Sequence, residues 1–148
     1  MSSPITIELM SGALFLPALV LMLVTMLVWL NMFIRRVVAT KAGNINPQKL
    51  ATPEQVNVAF DEKTQAPGNC FKNLFELPVI FYTLVILISM TNLVDSFFIS
   101  LAWAFVGLRA VQASVHCTYN KVMHRFLAYF ASSVVLWVML VRFFLAFI

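Results

Sequence analysis

The chain has 148 residues, of which 61% are hydrophobic and only 11% charged, with a net charge of +4. A soluble domain is nearer half apolar and a quarter charged, so the composition excludes an ordinary soluble fold and fits one membrane-embedded domain. The basic residues lie between apolar blocks instead of forming a patch, which argues against nucleic acid as a partner and for membrane topology.

A membrane span needs about 20 apolar residues. The first is expected over about 13–34, closed by Arg35 and Arg36. It is too long for a signal-peptide core and has no basic segment before it, so it is expected to stay in the mature protein. Residues 35–70 then read as a polar cytoplasmic loop punctuated by proline and glycine. Inside it, TPEQVNVAF (52–60) predicts a short helix, with Thr52 as N-cap, Pro53 at the first position and Gln55 three residues after the cap. Further spans are expected over about 71–94, 97–117 and 126–148, with short connections around Asp95 and over 119–125. The prediction is a single all-α domain, 1–148, of four transmembrane helices in an antiparallel bundle.

Lysine and arginine set the orientation. Arg35, Arg36, Lys41, Lys49, Lys63 and Lys72 follow the first span, and Lys121 and Arg125 separate the third from the fourth. The other two connections carry Glu8 and Asp95 and no basic residue. The positive-inside rule then places both basic loops in the cytoplasm and both termini on the opposite side of a multi-pass membrane protein. Cys70 and Cys117 belong to no CxxC or metal-ligand spacing and read as inert thiols.

The informative residues are polar ones at span level, because a charge in the bilayer is costly and is by default a functional hypothesis. Asn73 and Glu76 are three apart and share a helical face, while Lys72 and Glu76 are placed to pair four apart. Pro78 lacks the donor that would serve the Leu74 carbonyl, which suggests a loosened, wet turn. Arg109, Gln112 and His116 form one stripe on the third span, and Asn120 extends it. Two readings of this set stand side by side. In one, Lys72 snorkels to the headgroups, Glu76 neutralises Arg109 and Arg125 only anchors a helix. In the other, Arg35 or Arg36, Lys72, Asn73, Glu76, Arg109, Gln112, His116, Tyr119 and Arg125 line a cytoplasm-facing pocket. Cations outnumber the one carboxylate there, which suits an anionic guest that also carries an ammonium group. Arg142 reads as a snorkelling or inter-helix residue near the far end.

The pattern of Asn73 and Glu76 on the second span, RxxQxxxHxxYN at 109–120 and Arg125 at the opening of the fourth resembles the MAPEG superfamily, the membrane-associated proteins in eicosanoid and glutathione metabolism. FKNLFELPV (71–79) and TYNKVMHRF (118–126) are similar to its bacterial branch, which implies a bacterial inner membrane. The resemblance spans nearly the whole chain. It implies a homotrimer of four-helix subunits with glutathione as co-substrate, bound between neighbours near the cytoplasmic side. By position, Arg35 or Arg36, Lys72, Asn73, Glu76, Arg109 and His116 would hold the glutathione, and Arg125 would stabilise its thiolate. The thiolate would attack a hydrophobic, lipid-like electrophile or reduce a peroxide, and no metal is required. Gln112 stands where many members have histidine, His116 where several have tyrosine and Phe126 where one has serine. The family also includes a non-catalytic lipid-binding member, so a protein that binds a lipid or supports a partner is the alternative to a transferase or peroxidase. A small transporter fits less well, because there is no internal repeat and the site lies at one end of the spans.

Overall fold

The computed structural model of the chain describes residues 4–146 and 148, with side chains described from residue 12 onward. The side chain of Glu8, which enters the charge argument for topology, lies outside the described residues, as does residue 147 at the end of the expected fourth span.

The first helix, α1, is Pro4–Ala42. Its 39 residues make it about 58 Å long at 1.5 Å per residue, well beyond the roughly 30 Å of a bilayer's hydrocarbon core. Arg35 and Arg36 end the apolar stretch but not the helix, because arginine is a good helix former. The helix stops where Gly43 and Asn44 follow, Asn44 taking the left-handed conformation at φ 46°.

Residues 35–70 are therefore not a simple polar loop. Asn46 caps a 3-10 turn, Pro47–Leu50. Helix α2, Pro53–Ala59, starts with the expected capping box, Thr52 accepting from the Gln55 N–H and the Gln55 side chain reaching back to the cap. Helix α3, Glu62–Asn73, is capped by Asp61, whose carboxylate accepts from the Thr64 N–H. The Thr64 side chain, ahead of that backbone bond, holds the Asp61 carboxyl below the ordinary carboxylate range.

The expected second span does not run as one helix from residue 71. The chain breaks over residues 74–76, and α4, Leu77–Met90, begins afterwards. The cause is Pro78. In a continuous helix its missing N–H would orphan the Leu74 carbonyl, whereas in the first turn of α4 no such donor is needed. Helices α5, Ser96–Cys117, and α6, Val122–Leu145, complete the chain. Helix α6 starts four residues earlier than the expected 126, so Arg125 lies inside its first turn.

Four helical stretches are long and apolar enough to cross a membrane: α1 from Gly12, α3 with α4, α5 and α6. They enclose a core in which Leu14, Leu21 and Val28 of α1 meet Phe81 and Ile88 of α4, Ala102 and Phe105 of α5, and Leu136 and Met139 of α6. The Phe81 and Phe105 rings stack at 4.6 Å between centroids. Helix α5 lies centrally, against α1, α3 and α6. The outer faces are equally apolar, with Leu27, Phe33, Phe130 and Val141 exposed, as expected of helices whose outside meets lipid or a partner copy. Hydroxyls in these helices satisfy themselves. Thr25, Thr83, Ser89 and Ser114 each donate to the carbonyl four residues back, so they impose no unpaired group on the bilayer.

Candidate functional site

The helix break at residues 74–76 positions the first site residue. A helix end leaves carbonyls without partners, and the last one of α3, on Asn73, accepts a bond from Arg109 Nη2. Arg109 Nη1 donates to Gln112 Oε1 at 3.0 Å. Its guanidinium also lies 5.3 Å from the Tyr129 ring centroid and 5.9 Å from that of Phe105. Arg109 is fully buried, and these contacts tie α5 to α3 and α6.

The pairing expected between Arg109 and Glu76 is not formed, nor is the one between Lys72 and Glu76. Among the described residues the ion pair within 4 Å is Arg142 with Asp95, at the other end of the helices. The expectation assumed a continuous helix through 72–76. The break leaves Glu76 exposed and outside ion-pair distance of Arg109 and Lys72, and gives Arg109 a carbonyl instead.

Arg125 is held from two sides. Its Nη1 lies 3.0 Å from His116 Nε2 and donates to Asn120 Oδ1 at 2.9 Å. A guanidinium has no acceptor, so His116 Nε2 must accept, and the imidazole is the neutral form with its proton on Nδ1. Asn120 sits in the left-handed conformation at φ 49°; its oxygen accepts from Arg125 while its Nδ2 donates to Glu62 Oε1 on α3 at 3.0 Å. Both bonds of Arg125 run through Nη1, so among the described residues its Nη2 and Nε keep free donors.

Asn73, Glu76, Gln112 and Arg125 line one cleft of ≈ 240 Å³, walled by Val122, Phe126 and Tyr129. Three buried donors on the α5 stripe have no acceptor among the described residues: Arg109 Nε, Gln112 Nε2 and His116 Nδ1. Buried unpaired donors cost free energy, and a cluster of them marks a place where an acceptor belongs.

The remaining expected residues lie elsewhere in the subunit. Arg36 and Lys72 line a second, polar cavity of ≈ 270 Å³ together with Thr52, Asn57, Gln65 and Asn69. Arg36 lies across Gly68, where a Cβ would stand 2.8 Å from its Nη2. Arg35 is a structural clamp: it donates to Asn31 Oδ1, to the Lys63 carbonyl and to the Cys117 carbonyl, joining α1, α3 and α5. Tyr119 is exposed, its hydroxyl 3.1 Å from His124 Nδ1. Two site residues escaped the sequence reading: Tyr129, and Asn120 as the orienter of Arg125. Tyr129 is four residues after Arg125 and shares its helical face, and that spacing was the signal that could have found it.

Comparison with known proteins identifies the family. The model of the MAPEG family matches residues 14–145, which cover the spanning stretches from the third residue of the first and every residue of the cleft. No curated protein and no solved structure matches the chain.

Proposed function

Since the chain belongs to the MAPEG family, and is on that ground and by its four apolar helices an integral multi-pass membrane protein, we propose that it is a glutathione-dependent transferase or peroxidase acting on hydrophobic electrophiles. The observation that carries this reading is Arg125. It is oriented by His116 and Asn120, retains free guanidinium donors, and lies in one cleft with the Glu76 carboxylate and the Gln112 amide.

In this reading three copies assemble, and glutathione lies between neighbours near the cytoplasmic ends of the helices. Its carboxylates are taken up by cations and by the unpaired donors of the α5 stripe. Glu76, unpaired in the subunit, receives the ammonium group. Arg36 and Lys72, which line the second cavity, stand in this reading on the cytoplasmic approach to the site. The Arg125 guanidinium stabilises negative charge on the sulfur, so the thiol ionises more readily. The thiolate displaces a leaving group or opens an epoxide on a substrate that arrives along the apolar walls. With a hydroperoxide, two glutathiones are oxidised to the disulfide while the peroxide becomes an alcohol and water.

The test is glutathione binding to the detergent-purified protein, with the thiolate followed by its ultraviolet absorbance, in the parent and in Arg125→Lys. Lysine keeps a positive charge and loses the planar fork. Saturable binding with a thiolate signal that weakens in the variant is expected. Binding without a thiolate in either protein overturns the catalytic part and favours the non-catalytic, lipid-binding alternative. Absence of binding by the folded oligomer overturns the glutathione reading altogether.

A further inference from the structure

The segment between α1 and α4 is wired to the arginine of the cleft through Glu62, an exposed residue in the first turn of α3. Its Oε1 accepts from Asn120 Nδ2 at 3.0 Å, across 58 residues of sequence. Asn120 Oδ1 in turn accepts from Arg125 Nη1 at 2.9 Å. We propose that Glu62 is a positioning residue for Arg125: through the Asn120 amide it fixes the direction of the hydrogen bond that aims the guanidinium into the cleft. The consequence for sulfur chemistry rests on the transferase reading above, whereas the positioning rests on the subunit alone.

The polarity of this chain is set from its two ends. An amide side chain accepts on one side and donates on the other, and either side can be turned to a given neighbour. A guanidinium only donates, so Arg125 needs the Asn120 oxygen; an ionised carboxylate only accepts, so Glu62 needs the Asn120 nitrogen. Both ends therefore select the same amide orientation. Once Glu62 is removed, the Asn120 nitrogen loses this acceptor and the amide is free to turn. Turned, it presents N–H groups to Arg125 and lets it go, leaving the contact with His116 Nε2.

Glu62 is itself held in place. The Asp61 carboxylate caps α3 by accepting from the Thr64 N–H. Arg35 of α1 donates to the carbonyl of Lys63, the next residue, and to the Cys117 carbonyl at the end of α5. The first turn of α3 is thus fastened to the helix that carries His116 and leads into Asn120. Charge and orientation make opposite predictions here. A carboxylate near the sulfur disfavours the thiolate, so losing its charge alone would lower the thiol pKa. Losing the aim of Arg125 would raise it. Because Glu62 is exposed, water and salt screen its charge, and orientation is the larger effect.

The experiment compares the parent with Glu62→Gln, Glu62→Ala, Asn120→Asp and the double variant Glu62→Ala/Asn120→Asp, each purified in detergent. One readout needs no glutathione: the rate at which phenylglyoxal modifies Arg125, followed by peptide mapping. Glu62→Ala should accelerate it several-fold. Glu62→Gln keeps an acceptor for the Asn120 nitrogen and should stay close to the parent. The other readout is the thiol pKa of bound glutathione, from thiolate absorbance against pH. Glu62→Ala should raise it by about half a unit, the size of one exposed hydrogen bond. In Asn120→Asp the side chain accepts from Arg125 and has no N–H for Glu62, so adding Glu62→Ala should bring no further acceleration or rise. Unchanged modification of Arg125 in Glu62→Ala, an equal effect of Glu62→Gln, or a lowered thiol pKa would each overturn the positioning role. Absence of a thiolate in the parent overturns the transferase reading instead, and the modification rates still decide whether Glu62 positions Arg125.

Discussion

Glu76 and Arg109 show how much a single contact changes the reading of a residue. Had they paired, neutralising Glu76 would strand a buried charge at considerable cost. Since Arg109 instead binds the Asn73 carbonyl and Gln112, Glu76→Gln should change stability by no more than about 0.5 kcal/mol. It should still weaken glutathione binding, a result read by thermal unfolding and titration on the same preparation. Arg109→Lys should behave in the opposite way. A point charge on a flexible stem cannot serve both acceptors and the two rings, so a loss of about 1–3 kcal/mol is expected in thermal or denaturant unfolding. Gly68→Ala is a subtler case. The new Cβ crowds the far end of Arg36, which can swing aside, and meets Met32 Sδ at an ordinary 3.6 Å, while alanine gains up to about 1 kcal/mol of helix propensity. The fold should therefore be kept, with Arg36 displaced; crosslinking or spectroscopic labelling near α2 would detect the shift.

At the scale of elements, two junctions organise the molecule. The first is the break between α3 and α4, which the Pro78 ring permits and the Arg109 guanidinium caps. The second is Asp95, at the turn between α4 and α5. Its carboxylate caps α5 by accepting from the Phe98 N–H at 2.8 Å and pairs with Arg142 of α6, which also lies over the Phe97 and Phe98 rings. Burial raises the Asp95 pKa, but the Arg142 and backbone bonds outweigh it, so the net shift is downward from 3.8. A depressed carboxylate contributes stability that is fully present above its unfolded value and lost as pH falls through the folded one. Asp95→Ala should therefore unfold more readily than the parent at neutral pH, by about 1 kcal/mol for the cap. The gap should narrow once the pH drops below 3.8; thermal unfolding at neutral pH and at about pH 3 distinguishes this from a purely steric defect. The ion pair itself adds little, since both partners are more than a third exposed.

The spanning helices are apolar on their inner and outer faces alike, as helices embedded in a membrane are. The trimer proposed above should appear as three covalently linked subunits on crosslinking in mild detergent or membranes; a monomer at concentrations where glutathione binds would contradict a site shared between neighbours. The same scale explains what was readable in advance. Composition and hydropathy alone determined a four-span, all-helical chain, because hydrocarbon admits no other way to satisfy the backbone of such segments. The capping box at Thr52 and the polar stripe of α5 were equally legible, since both depend on spacing along one helix. The partners of that stripe were not. Whether Arg109 met Glu76 or the Asn73 carbonyl depended on where α3 ended. Contacts within a helix follow from its fixed repeat, but contacts between helices follow from breaks and packing angles that only the folded chain decides.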